Sequence, residues 1–276
     1  MGVLLGALSS LLYGVGDFAG GEAARKAPAS SVVLWAGLLS FPVILAAALL
    51  IGGSASRGDL FYGLAAGSAG AMGLVLLFAG LARGNAAAVA PAAAAVMAVL
   101  PLTIAVALGE RPTVMAWSGV ALAIPAIVLC SWTAERGPVA AGGLSFGVAA
   151  GVMFGVYVVL ISRTGEASNL LPLIPARLAT IGVVATVALS GVWKIQRFGG
   201  MSRGWVVGNG LLDVAGNVAF IIGLRIGPLS LVSVAAATSP AVTVALASII
   251  NRERLRRRQL VGLLLVLVAL ALITLG

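Results

Sequence analysis

Ten apolar runs account for most of the chain, at residues 3–21, 31–51, 60–82, 87–108, 113–132, 141–162, 169–191, 204–224, 229–249 and 259–275. Each is close to the roughly 20 mostly apolar residues that one helix needs to cross a bilayer core. Charges, prolines and glycine clusters separate the runs. Inside them the apolar residues are continuous and do not alternate with polar ones, which predicts helices and not the strands of a membrane barrel. The pattern therefore predicts an all-α polytopic membrane protein with ten transmembrane helices, short loops and no soluble catalytic domain. The first run, MGVLLGALSSLLYG (1–14), lacks a basic leader and a cleavage site, so it is expected to be the first span.

Composition strengthens this picture. Of 276 residues, 61% are hydrophobic and 9% are charged, against about a quarter charged in a soluble domain. A soluble surface cannot accommodate that imbalance, and a disordered chain would not carry it. Histidine is absent, which removes Ser-His-Asp triads and histidine metal sites; no metal and no cofactor is expected. The lone cysteine, Cys130, has no partner for an intramolecular disulfide. The net charge of +9 would suggest nucleic acid in a soluble protein. Here the basic residues sit in loops, where they orient spans in the lipid bilayer, so no nucleic-acid partner is expected. Loops after odd-numbered runs hold 12 of the 17 Lys and Arg, loops after even-numbered runs hold 4, and Arg177 lies inside a run. The positive-inside rule places the odd loops in the cytoplasm and both termini together on the other side.

The two halves repeat. LARGNAAAVAPAAAAVMAVLPLTIAVALGER (81–111) aligns without gaps with LRIGPLSLVSVAAATSPAVTVALASIINRER (224–254). The match pairs Gly84 with Gly227, Val89 with Val232 and Glu110-Arg111 with Glu253-Arg254. Earlier in each half, Gly6 and Tyr13-Gly14 match Gly147 and Phe154-Gly155. Two units are expected, 1–136 and 137–276, packed as one membrane domain. Five spans per unit, an odd number, make the second unit insert upside down, the arrangement of secondary transporters with a site at the repeat interface.

The chain resembles the EamA-type, ten-helix members of the drug/metabolite transporter superfamily over its whole length. The resemblance rests on Tyr13-Gly14 and Phe154-Gly155, Ala176-Arg177-Leu178, Ser239-Pro240, and the turns GER (109–111) and RER (252–254). It departs where Tyr13 and Phe154 stand in place of a common Trp, and where Met97 matches Pro240. The resemblance implies a ten-helix bundle around a central cavity and export of metabolites, amino acids or drugs, or carriage of nucleotide sugars. It also implies cytoplasmic termini, opposite to the loop count.

Charges inside a membrane are costly and mark function by default. Three qualify. Asp17 lies late in the first run, on one face with Tyr13. Arg177 follows Pro172 and Pro175, and either reaches for headgroups or holds a carboxylate. Asp213 is the deepest charge; with Asn209 and Asn217 it forms an i, i+4, i+8 polar stripe that must face the bundle or a wet cavity. An Asp213–Arg177 pair is expected. Among aromatics, Tyr13, Trp35, Phe78, Phe154 and Tyr157 are cavity candidates, with Ser239 beside them.

Two short motifs point elsewhere. Gly14-Val15-Gly16-Asp17 reads GxGD, as in intramembrane aspartyl proteases, with Asp213 as the second acid that such a dyad needs. The companion Tyr-Asp and Pro-Ala-Leu motifs are missing. Gly143-Leu144-Ser145-Phe146-Gly147 reads GxSxG but opens a membrane run and has no base. With no GxxxxGK[ST], any pumping uses a gradient. The sequence thus predicts a non-enzymatic carrier in a bacterial inner membrane, monomer or weak dimer. It would alternate access around a cavity bounded by helices 1, 3, 4, 6, 8 and 9, with helices 4 and 9 as gates. Its substrates would be amino acids or similar amphipathic small molecules, with Asp213 as protonation site if transport is proton-coupled.

Overall fold

The computed structural model describes residues 1–83, 86–131, 141–252 and 256–276, and only the backbone of 78, 81–83, 86–88, 90, 91, 130, 131 and 141–143. Gly84, Arg136, Glu253 and Arg254, and the side chains of Phe78, Arg83 and Cys130, lie outside the described residues. The elements run α1 (Gly2–Ala24), α2 (Ala29–Ile51), α3 (Arg57–Arg83), α4 (Ala86–Ala107), α5 (Val114–Ser131), α6 (Ala141–Ser162), α7 (Leu173–Leu189), α8 (Arg203–Ile226), α9 (Leu229–Ala236), α10 (Ser239–Ile250) and α11 (Arg257–Leu275). Single 3-10 turns occupy Glu166–Ser168 and Phe198–Gly200, and no strand occurs among the described residues. Among the described residues seven helical segments, taking Leu229–Ile250 as one, are long and apolar enough to cross a membrane, and three shorter apolar helices accompany them. The protein is an integral membrane protein. Its outer faces fit that setting: Leu4, Leu8 and Leu11 on α1 and Leu260, Leu264 and Leu267 on α11 are exposed stripes of apolar side chain.

The ninth apolar run differs from the single helix expected over 229–249: it is α9 and α10, broken at Ala237-Thr238. Both break residues keep ψ near zero, and Pro240 sits in the first turn of α10. Proline has no N–H for the preceding turn and its ring crowds that turn, so the helix restarts. Thr238 Oγ1 donates to the Ala235 carbonyl at 2.7 Å and lies 2.8 Å from Ser10 Oγ on α1, which satisfies the break inside the bundle. Met97 stands at the matching place in α4, which runs unbroken.

Helices cross at glycines, and three of these crossings recur with their partners exchanged between the halves. A Cβ on Gly6 would stand 2.8 Å from the Val232 carbonyl oxygen, and one on Gly147 2.6 Å from that of Val89. The Tyr13 ring covers Gly216 as the Phe154 ring covers Gly73. Gly67 lies against the Ala176 carbonyl as Gly210 lies against that of Ala36. So α1 packs on α8 and on α9–α10, while α6 packs equivalently on α3 and α4. Helices approach this closely because glycine has no side chain to hold them apart.

One end of the bundle gathers both termini and is tied by polar contacts. Glu110, after α4, accepts from the N–H groups of Leu229 and Ser230 at 2.8 and 3.0 Å and from Ser230 Oγ at 2.5 Å, capping α9. Arg225 donates to the Thr164 carbonyl, to Thr164 Oγ1 at 2.7 Å and to Ser168 Oγ at 3.4 Å. Asp59 accepts from the Gly165 N–H at 2.6 Å and from Ser56 N–H and Oγ at 2.8 Å each. Below these ties a buried cluster that includes Ile44, Ile161, Leu170, Leu173, Phe220 and Ile221 closes this end.

Candidate functional site

Between the two sets of helices lies a cavity of about 470 Å³, roofed at the termini end by that cluster. Its walls are mostly apolar: Leu74 and Leu77 from α3, Ala93, Ala94 and Met97 from α4, and Phe154 and Val158 from α6. The broken span supplies Ser233, Ala236, Ala237, Ser239 and Pro240. Two walls were not among the six expected. Ile44 comes from α2, and Leu173, Ala176, Arg177 and Thr180 come from α7. Apart from Arg177, these residues carry no chemical signature that a sequence could flag.

A connected set of polar side chains lies on one wall. Arg177 of α7 and Asp213 of α8 form a hydrogen-bonded ion pair, with side chains 16% and 36% exposed. One turn along α8, Asn217 donates from its amide to the Asp213 carbonyl at 2.7 Å. Its amide oxygen accepts the Tyr157 hydroxyl of α6 at 2.6 Å. These links form a chain from α6 through α8 to α7. Thr180 is polar but donates to the Ala176 and Gly67 carbonyls at 3.0 and 3.3 Å, so its hydroxyl serves the helix crossing.

Asp17 occupies the α1 wall beside Tyr13, one turn away on the same face. Its side chain is exposed to the cavity and has no hydrogen bond or ion pair among the described residues. Asp213 is near enough for the two charges to interact. Ser239 is buried at the start of α10 and faces the cavity.

Tyr13, Asp17, Phe154, Tyr157, Arg177, Asp213, Asn217 and Ser239 thus share one cavity. Asn209 does not. Its amide donates to the Gly16 carbonyl at 2.8 Å, a tie between α8 and α1. At 3.6 residues per turn, positions i and i+8 diverge by about 80°, so the two ends of such a stripe need not face the same neighbour. Asn209 meets α1 where Gly16 and Gly20 bring the helices together. Trp35 also lies elsewhere: its indole N–H donates to the Gln196 carbonyl at 2.9 Å, and its ring packs on Phe198. The helix carrying Phe78 borders the cavity, but that side chain is outside the described residues.

The helix crossings relate Asp213 to Gly70 and Arg177 to Gly37. The polar wall therefore has no counterpart in the other half. Among the described residues no three His, Cys, Asp or Glu side chains converge on a point that could hold a metal. The arrangement offers a concave, mostly apolar volume with a few fixed polar groups, the usual form of a small-molecule site.

Comparison with known proteins adds a sequence family and a fold. The sequence model of the EamA-like transporter family matches residues 1–132 and again 141–275. A crystal structure of a protein 19% identical in sequence superposes with a TM-score of 0.80, covering 99% of this chain and 98% of that one. At that identity the likeness concerns the fold. No curated protein matches the chain.

Proposed function

The chain belongs to the EamA-like transporter family of the drug/metabolite transporter superfamily, and on that premise we propose that it is a secondary carrier of small organic metabolites. In this reading ten helical spans form two five-helix repeats, 1–136 and 137–276, inserted in opposite directions. The recurrence of three glycine crossings with partners exchanged supports it. The observation that carries the carrier reading is the cavity itself. It lies between the two sets of helices, is closed at one end and carries a few fixed polar groups on otherwise apolar walls.

Alternating access follows from that placement. The half-turn relation gives each helix crossing at the closed end a matching crossing at the other, so rocking one set against the other exchanges which end is sealed. The break at Ala237-Thr238 gives the ninth span a hinge at cavity depth. Amino acids or similar amphipathic compounds suit an apolar volume of about 470 Å³ edged by Tyr157, Asn217 and an ion pair. Export from a bacterial cell across its inner membrane, by a monomer or weak dimer driven by an ion gradient, completes the proposal.

Counterflow in proteoliposomes tests it. Vesicles loaded with unlabelled amino acids should accumulate the labelled compound without any imposed ion gradient. Saturable exchange of a subset, reduced at least tenfold in Tyr157→Ala, is the expected result. No exchange with amino acids, drug-like amphiphiles or nucleotide sugars would remove the carrier reading.

A further inference from the structure

Among the described residues three formal charges face the cavity: Asp17, Asp213 and Arg177. Two of them cancel, because the Arg177 guanidinium is bound to the Asp213 carboxylate. Asp17 is left over. It has no hydrogen bond or ion pair among the described residues, and the other titratable side chains facing the cavity are Tyr13 on its own helix, Tyr157 on α6, Arg177 on α7 and Asp213 on α8. The Asp213 carboxylate across the cavity repels it. An unpaired carboxylate at this depth is costly and draws a positive partner.

We propose that Asp17 is the anchor of the substrate site and that the substrates are organic cations carrying a protonated amine, held by Asp17 with their apolar part against Leu74, Leu77, Met97 and Phe154. The proposal rests on the carrier reading and narrows its substrate class. The cavity has a net formal charge of −1 from the groups above, so a monocation neutralises it. A zwitterion brings a carboxylate as well. Among the described residues the one cation that could receive that carboxylate is already engaged by Asp213, and opening a buried pair leaves a charge uncompensated. A carboxylate lacking an amine meets the same obstacle and gains nothing at Asp17. The aromatic side chains Tyr13, Phe154 and Tyr157 that also line the cavity suit an ammonium group with an apolar tail.

The test uses the full chain and a panel matched in shape and different in charge. Primary amines from ethylamine to phenethylamine and tryptamine are compared with phenylalanine, tryptophan and 3-phenylpropionate. Binding to purified protein in detergent is read by equilibrium dialysis, and exchange is read by counterflow in vesicles. Expected is binding of at least one amine, with its parent amino acid about tenfold weaker or worse and phenylpropionate silent. Tenfold corresponds to about 1.4 kcal/mol. Asp17→Asn should erase the preference for amines, and Asp17→Glu, which keeps the charge, should retain the ranking. Thermal melting confirms that both variants fold, as an unpartnered cavity side chain predicts.

Failure of every amine to bind overturns the proposal. So does equal or tighter binding of the amino acid or the carboxylate, or an amine affinity unchanged in Asp17→Asn. The two readings fail separately. Amine binding that needs Asp17, without exchange in vesicles, removes the carrier and leaves the cation site. Exchange that ignores Asp17 keeps the carrier and removes the cation site.

Discussion

Replacing Gly67 by alanine adds one methyl group where there is no room. A Cβ there would stand 2.0 Å from the Ala176 carbonyl oxygen and 2.6 Å from its carbonyl carbon. Ordinary contact begins near 3.4 Å. The obstacle is backbone, which cannot rotate aside as a side chain does, so α3 and α7 must separate by about 1 Å or more. Overpacking of this kind costs about 1–3 kcal/mol. Alanine returns up to about 1 kcal/mol of helix propensity. Because the clash is with a carbonyl, the loss should fall in the upper part of the range, for a net of about 2 kcal/mol. For a chain of this size that lowers the melting temperature by roughly 4–8 °C. The consequence reaches the site, because Ala176 precedes Arg177, whose guanidinium is held by Asp213. Displacing α7 moves that guanidinium, and exchange should fall at least tenfold. The assay is thermal melting of purified protein in detergent, paired with counterflow. Gly182→Ala, on the same α7 with nothing within 4 Å, serves as the control and should melt no lower than wild type. A Gly67→Ala protein that melts within 1 °C of wild type and exchanges normally would refute the packing argument.

Other outcomes follow from single contacts. Gly210→Ala, the counterpart crossing against the Ala36 carbonyl at 2.6 Å, should destabilise by less than Gly67→Ala, as melting of the two side by side will tell. Glu110→Gln keeps one acceptor and loses the charge that caps α9, so melting should report a loss of about 1 kcal/mol, with Glu110→Ala losing more. Arg225→Gln removes charged hydrogen bonds between α8 and the loop after α6, worth about 2 kcal/mol. It should raise alkylation, through the termini end, of a cysteine placed at Leu173; unchanged labelling would mean the tie does not hold that end shut. Arg177→Gln and Asp213→Asn should each destabilise by leaving a charge unpaired, whereas the neutral double variant should recover part of the melting temperature. If the double variant melts no higher than either single one, the pair contributes nothing to stability.

Most of the helix pattern was legible in hydropathy, since lipid-facing and buried faces are both apolar and the runs end where charge returns. The break in the ninth span was written at Ser239-Pro240, yet apolar composition continues through it, and only the backbone geometry at Ala237-Thr238 separates α9 from α10. The Arg177–Asp213 pair could be expected because two opposite charges in separate apolar runs have few other partners. Asn209 misled because equal spacing along a helix does not mean an equal neighbour: two turns away from Asn217, α1 replaces the cavity. The α2 and α7 walls were invisible, as Ile44, Leu173 and Ala176 look like any packing residue.

The Arg177–Asp213 pair stands opposite positions held by Gly37 and Gly70. A duplicated frame with a true two-fold axis would accept a molecule either way round, in two poses of equal energy. Here the tie is broken at the first contact, since the pose turned about the two-fold sets against glycine the end that this pose sets against the ion pair. A ligand therefore enters head-first in a single sense, and its asymmetric carbon meets the same neighbours every time. The orientation of the cargo is then set by a scaffold whose two halves, taken by backbone alone, would accept both poses equally.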